Sequence, residues 1–170
     1  TNNIFSDNNA RQHKFIIASP SFLPHHQWVQ IATKNHCKIL TEIELAQHFT
    51  NAKIFAITGT NGKTTTTKFL SEFFTHNNFT HNLHNNINDH RQHKNHNNFT
   101  YNNITAYAAG NIGLPLCELL ATKEIYDDDM IFYEMSSFQA ASITNLNLSG
   151  IIWTNYYPSH LNVHASEHEY

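Results

Sequence analysis

A lysine and a run of threonines follow two glycines directly after a short apolar segment, and these residue types suit phosphate binding. Gly59 and Gly62 let the backbone turn tightly, so that successive N–H groups can point at phosphate oxygens. Lys63 can reach the β- and γ-phosphates, and the hydroxyl of Thr64 can bind a magnesium ion. The segment predicts a site for a nucleoside triphosphate.

The loop departs from the general phosphate-loop pattern, which has a glycine five residues before Gly62, where this chain has Ile57. The alternative interpretation is a plain surface turn between a strand and a helix. The order Gly-Lys-Thr immediately after a buried strand favours the nucleotide site, with residues 59–65 as its loop.

Strands and helices alternate around this loop, which predicts an α/β fold with a parallel sheet. Strands are expected at residues 53–58, 130–133 and 151–154, and helices at 64–75, 114–120 and 137–145. In the first of these helices, the spacing of Phe69, Leu70, Phe73 and Phe74 predicts one apolar face packed in the core.

The N-terminal part is predicted to be the C-terminal end of another domain. Short strands at 15–18 and 38–40 flank a helix through Trp28 and Ile31, which is a βαβ pattern too short for a complete doubly wound domain. We therefore predict one unit at residues 1–46 and a second at residues 47–170.

Four polar residues in the second half are candidates for the rest of the site. Glu134 ends an apolar strand at the edge where parallel sheets bind ligands, so it is a candidate magnesium ligand, or simply an exposed residue. Asn111 lies between two glycines, in a turn that could present its amide. Ser136 could cap the next helix or bind a substrate, and His160 follows the last strand.

Residues 76–103 contain 11 asparagines and 6 histidines among 28 residues. Such a segment buries little apolar surface, which predicts a mobile loop, with a poor helix at its start as one option. The i, i+3 spacing of His90, His93 and His96 would place imidazoles on one helical face and suggests a metal site. The alternative is a solvated, compositionally biased insert.

Composition limits the classes of function. The net charge of −3 gives no broad basic surface for nucleic acid, and no apolar run approaches the roughly 20 residues that span a bilayer. Cys37 and Cys117 show no disulfide pattern. We expect a soluble protein of the cytoplasm, with no leader, no membrane insertion and no nucleic-acid partner.

Several segments, in order, resemble the Mur ligase family of peptidoglycan synthesis, in its MurD-type, D-glutamate-adding branch. The matching segments are Ser19-Pro20 with His26-x-Trp28, Glu42-Ile-Glu-Leu45, Thr58-Gly-Thr-Asn-Gly-Lys-Thr-Thr65, Gly110-Asn-Ile-Gly-Leu-Pro115, Glu134-x-Ser-Ser-Phe-Gln139, and Asn155 with His160-Leu161. The resemblance implies a central ATP-binding domain, here truncated, preceded by the end of a Rossmann-like N-terminal domain for the UDP-substrate.

The resemblance implies an ATP-dependent ligase that phosphorylates UDP-N-acetylmuramoyl-L-alanine and joins D-glutamate to it through an acyl phosphate, and that is a monomer at full length. By analogy, the catalytic residues are Lys63, Glu134 and His160, and Mg²⁺ is held by Thr64, Glu134 and His160. The substrate is bound by Asn111, Ser136 and His160. ATP is held by the loop residues Gly59, Thr60, Asn61, Gly62, Lys63, Thr64 and Thr65.

The chain departs from this family near its end. Ser159 and Asn162 stand where aspartates are usual, and Val163 stands where arginine is common. Two alternatives therefore stay open: a non-catalytic relative of the ligases, and a metal-binding or interaction module that uses the histidine-rich insert. We expect that this chain by itself does not complete a turnover.

Overall fold

The computed structural model describes residues 5–20, 22, 26–76, 92–94, 100–102 and 104–157. Its strands are β1 (Phe15–Ile17), β2 (Lys38–Leu40), β3 (Lys53–Thr58), β4 (Gln92–Lys94), β5 (Thr100–Asn102), β6 (Ala106–Gly110), β7 (Met130–Glu134) and β8 (Gly150–Trp153). Its helices are α1 (Asp7–Gln12), α2 (Gln27–Lys34), α3 (Glu42–Ala46), α4 (Lys63–His76), α5 (Leu116–Thr122) and α6 (Ser137–Ser142), with a 3-10 turn at Gln47–Phe49.

The main sheet has four parallel strands in the order β6-β7-β3-β8. The predicted α/β fold with a parallel sheet is thereby confirmed. In the register, Ile57 of β3 pairs with Glu134 of β7, so the phosphate loop after β3 and the end of β7 lie at the same edge of the sheet.

Residues of β3 and β7 alternate between the two faces of the sheet, because strand side chains point to opposite sides in turn. Ile54 and Ile131 pack in a core that also contains Ile43 of α3 and Leu116 of α5. The opposite face is covered by α4. The buried residues there are Ile57, Ala106 and Phe132, with Leu70 and Phe74 of α4 packed against them.

Only half of the predicted apolar face of α4 is buried, so that prediction is wrong for two residues. Phe69 is 61% exposed and Phe73 is 40% exposed, and their rings stack on each other with centroids 5.8 Å apart. Leu70 and Phe74 lie one residue further round the helix and reach the core. Stacking side by side lets the two outer rings shield each other in part.

A smaller unit precedes this sheet. Strands β1 and β2 pair in parallel, and Ala10, Ala32 and Cys37 form a core of their own with Ile16 and Ile39 packed against it. Helix α3 instead packs against α5. The predicted division at residue 46 stays a prediction.

The insert lies mostly outside the described residues. Strands β4 and β5 within it pair antiparallel, with His93 opposite Tyr101. His93 is therefore in a strand, not on the helical face that the spacing suggested, while His90 and His96 fall outside the described part.

Candidate functional site

The loop that follows β3 is shaped by glycine and held by the segment that follows β8. Gly59 has φ 124°, and a β-carbon there would lie 2.3 Å from Thr154 Oγ1. A side chain at this position is therefore excluded twice, by the backbone conformation and by the space. The loop closely approaches residues 154–155.

Lys63 begins α4, and its ammonium group folds back over the loop. Its Nζ donates to the carbonyl oxygens of Gly59 at 2.7 Å and Thr60 at 3.0 Å. These contacts keep the charge above the loop, which is where a polyphosphate would need it. The first N–H group of α4 with a helical acceptor is that of Thr66, which donates to Gly62 O at 2.9 Å. The N–H groups of Lys63, Thr64 and Thr65 precede it, so no carbonyl of the helix accepts from them.

The hydroxyl groups after Lys63 divide into two sets. Thr67 is fully buried, and its Oγ1 donates to the Lys63 carbonyl at 2.9 Å, which fixes the first turn of α4. Thr64 and Thr65 are exposed in the first turn of the helix, directly after the loop. Thr64 is therefore free to reach a ligand held by the loop, as its predicted role requires.

Glu134 is the second part of the site. Its side chain is only 3% exposed; Oε1 accepts a hydrogen bond from Asn111 Nδ2 at 3.2 Å, and within the described chain Oε2 has no hydrogen-bond partner. Burying a carboxylate oxygen without a partner is costly. An unsatisfied carboxylate at this edge fits a divalent cation, and oxygen ligands are those that Mg²⁺ prefers.

Asn111 and Glu134 are linked through the backbone as well. The Asn111 N–H donates to the Glu134 carbonyl at 2.9 Å, and Gly110, with φ 97°, lets the chain pass within contact of that carbonyl. The turn after β6 therefore fixes the carboxylate at the end of β7. The sequence placed both residues in the site, and the structure brings them together.

Ser136 caps α6. Its Oγ accepts the Gln139 N–H at 3.2 Å and donates to Gln139 Oε1 at 3.1 Å, while its own N–H donates to the same oxygen at 2.8 Å. This capping box uses the hydroxyl proton, so towards a ligand Ser136 can offer only a remaining lone pair. His160 lies outside the described residues, and its predicted roles stay predictions.

The side chain of Gln139 is itself oriented by a tyrosine of β7. Its Nε2 donates to the Tyr133 hydroxyl at 3.2 Å, and that hydroxyl lies 3.4 Å from Glu42 Oε2. Burial, followed by the negative charge of Glu42, raises the pKa of Tyr133, so the phenol stays protonated. The capping box is thus held by the Tyr133 hydroxyl, which in turn contacts Glu42.

A cavity of about 390 Å³ lies beside the loop, against Gly59 and Thr60. Its other walls are mainly apolar and come from Met135, Ala140, Trp153 and Tyr156. Glu134 and Lys63 do not line it. The cavity therefore adjoins the loop on the α6 side, away from the carboxylate.

The metal-binding alternative gains no support from the described residues. Among the residues described, no group of three or more histidine, cysteine, aspartate or glutamate side chains could hold a metal ion.

Both cysteines are free, and burial with the nearby Glu42 charge raises the pKa of Cys117 to about 11. Its thiol is thus protonated at neutral pH and is a poor nucleophile.

Comparisons with known proteins identify the family of the chain. A family model described as the Mur ligase middle domain matches residues 57–170. The chain belongs to the Mur ligase family. It is also 35% identical over 155 residues to the UDP-N-acetylmuramoylalanine–D-glutamate ligase of Thermoanaerobacter sp. strain X514, an alignment that covers 91% of the chain and 28% of that relative.

Two further relatives of this Mur ligase chain carry the same name. The protein of Lacticaseibacillus casei strain BL23 is 31% identical over 157 residues, which is 92% of the chain and 28% of the relative. The protein of Streptococcus uberis is 30% identical over 151 residues, which is 89% of the chain and 27% of the relative. The chain thus spans little more than a quarter of the length of the relatives it matches.

In the described part of the chain, no helix combines the length and apolar character needed to cross a membrane.

Proposed function

We propose that this chain is the front of the ATP-binding unit of a ligase that adds D-glutamate to UDP-N-acetylmuramoyl-L-alanine. The observation that carries the proposal is the pairing, at one sheet edge, of the Lys63 loop with the buried and unsatisfied carboxylate of Glu134. The choice of substrates is supported by the names of the relatives. Residues 1–46 would then be the end of a domain for the UDP-linked substrate.

The chain's own residues have separate tasks in this reaction. The first-turn N–H groups of α4 and the ammonium of Lys63 would hold the triphosphate and offset the charge that builds up on the transferred phosphoryl group. Thr64 and Glu134, and His160 by family analogy, would hold Mg²⁺, which supplies electrostatic stabilisation of that charge when bound. The amine of D-glutamate would then attack the carbonyl carbon of the acyl phosphate, so that the amide bond forms and inorganic phosphate leaves.

Asn111 and Ser136 would meet the muramoyl substrate. Asn111 already donates to Glu134, so its remaining amide hydrogen and its carbonyl oxygen are the groups available to a substrate. By family analogy we further propose a cytoplasmic enzyme that is monomeric at full length. Two free thiols are typical of proteins of the reducing cytosol.

A chimeric ligase tests this function. The region of the Thermoanaerobacter relative that matches this chain is replaced by the chain, and ADP release is measured with each substrate present or absent. The proposal expects ADP release that requires both UDP-N-acetylmuramoyl-L-alanine and D-glutamate, together with the amide product by mass spectrometry. A folded chimera that binds Mg-ATP and makes no product contradicts it.

A further inference from the structure

The side chain of Asn155 forms a reciprocal pair with the backbone of the phosphate loop. Asn61 N–H donates to Asn155 Oδ1 at 3.0 Å, and Asn155 Nδ2 donates to Asn61 O at 2.9 Å. Both backbone groups of Asn61 are thus bonded by one amide. A planar amide that binds N–H and C=O of the same residue fixes the orientation of the two peptide groups on either side of it.

Neighbouring groups add to this contact. The Thr60 N–H donates to the Asn155 carbonyl at 3.1 Å, and Thr154 Oγ1 lies 2.6 Å from Asn61 O and 3.1 Å from Thr58 O. A hydroxyl has one proton, so Thr154 donates to one of these carbonyls at a time. The outer half of the loop is therefore fastened to the segment after β8 at several points.

These contacts divide the loop into two halves. The N–H groups of Thr60 and Asn61 already donate to Asn155, whereas those of the first turn of α4 have no helical acceptor. Anion binding is then left to the second half, which starts at Gly62. The orientation of Gly62 depends on the peptide group that Asn61 shares with it, and Asn155 Nδ2 holds the carbonyl of that peptide group.

We propose that Asn155 is a positioning residue for the phosphate loop. It orients the Asn61–Gly62 peptide so that the N–H groups that follow converge on the polyphosphate, without touching the nucleotide itself. The inference rests on the proposed ATP-binding function. Preorganising a loop lowers the cost of ordering it on binding, so the effect appears in ligand affinity.

The contact lies away from the cores of the molecule. Asn61 is exposed and Asn155 is half-buried. Removing the amide should therefore change the melting temperature of the free chain little, while it loosens the loop. This separates a positioning role from a general contribution to folding.

The test is calorimetric titration of Mg-ATP and of Mg-tripolyphosphate into the chain, its Asn155→Ala variant and its Thr154→Val variant. Asn155→Ala should weaken both ligands about tenfold, which corresponds to about 1.4 kcal/mol. Thr154→Val should weaken them less, because Asn155 still holds Asn61 O. Asn147→Ala is the matched control, since Asn147 precedes β8 at the opposite end of the sheet, and its affinities should equal those of the wild type.

Amide hydrogen exchange gives an independent readout. In Asn155→Ala, the Asn61 amide should lose protection while the amides of β3 keep theirs. Unchanged or tighter ligand binding in this variant would overturn the positioning role, because tighter binding would mean that Asn155 competes with phosphate. A wild-type chain that binds neither ligand would overturn the ATP-binding proposal, and the positioning role with it.

Discussion

At the residue scale, Glu134 departs most clearly from ordinary burial. A buried carboxylate usually has a hydrogen bond or a counter-charge for each oxygen, and within the described residues Oε2 has neither. A ligand that supplies a positive charge would complete such a group. The bond from Asn111 orients the carboxylate, and Oε2 has no hydrogen-bond partner among the described residues.

Replacing Glu134 by glutamine tests this interpretation. The variant keeps the size of the side chain and an oxygen that can accept from Asn111, but it removes the charge. The quantity measured is the ratio of ATP affinity with Mg²⁺ to ATP affinity without it, by titration. We expect this ratio to be at least tenfold smaller in the variant than in the wild type. The free variant should be about as stable as the wild type, because no ion pair is lost.

The matched control is Glu118→Gln, which changes an exposed glutamate on α5. It should leave the magnesium effect unchanged. If Glu134→Gln also kept the full magnesium effect, Glu134 would not be a magnesium ligand.

The residue scale also shows where sequence reasoning stops. The position of Glu134 after an apolar strand predicted a site residue, because carboxyl ends of parallel strands meet at one edge. The bond from Asn61 to Asn155 joins residues 94 apart in sequence, and asparagine occurs 23 times in this chain. Neither spacing nor residue type could single out that pair.

At the element scale, Glu44 ties α3 to the loop after α6. Its Oε1 accepts from the N–H and Oγ1 of Thr144 and from Asn145 N–H, and its Oε2 accepts from Thr41 N–H and Oγ1. Burial raises the pKa of this carboxyl, but the hydrogen bonds outweigh burial and lower it to about 2. The side chain itself is 1% exposed.

This carboxylate predicts a pH dependence of stability. The folded-state pKa lies below the ordinary value of 4.5, so ionised Glu44 stabilises the fold above pH 4.5, and that contribution is lost as the pH falls from about 4.5 towards about 2. Glu44→Gln should lower the free energy of unfolding by about 3 kcal/mol at pH 7 and by much less at pH 3. Urea unfolding at both pH values measures the difference.

Glu72→Gln is the control, since Glu72 is exposed on α4. It should have nearly no effect at either pH. An effect of Glu44→Gln that is equal at pH 3 and pH 7 would show that its charge is not what holds α3.

The phosphate loop makes a second prediction at this scale. Gly59→Ala should lower the free energy of unfolding by about 3 kcal/mol, because it combines backbone strain at φ 124° with a clash against Thr154. Gly113 has φ 103° and open space around it, so Gly113→Ala should cost about 1 kcal/mol. Denaturant unfolding of both variants isolates the clash, and equal losses would exclude it.

Elements were predictable where hydrophobic patterning was strong. Strands β3, β7 and β8 are apolar runs, and α4 follows from the residues after the loop. Strand β6 was missed because its sequence, Ala-Tyr-Ala-Ala-Gly, has weak strand propensity and was taken in part as a turn. Helix α1 is polar apart from Ala10 and was missed because it has no hydrophobic pattern. Helix α6 ends at Ser142, not at 145.

At the scale of the whole molecule, the fold brings its functional groups to one edge of a four-stranded parallel sheet. The loop after β3, the turn after β6 and the end of β7 meet there, and residues 154–157 fasten the loop from the β8 side. The strand order explains why residues from three separate segments can serve one ligand. The sequence predicted the parallel sheet, but the order of its strands needed the structure.

Binding of Mg-ATP to this chain, measured by isothermal titration calorimetry beside Lys63→Ala, tests the central claim most directly. We expect saturable one-to-one binding by the wild type and at least tenfold weaker binding by Lys63→Ala, since the variant removes the positive charge above the loop. Lys68→Ala, an exposed lysine on the same helix, should bind as the wild type does. No binding by a folded wild-type chain, or equal affinity in Lys63→Ala, would contradict the account.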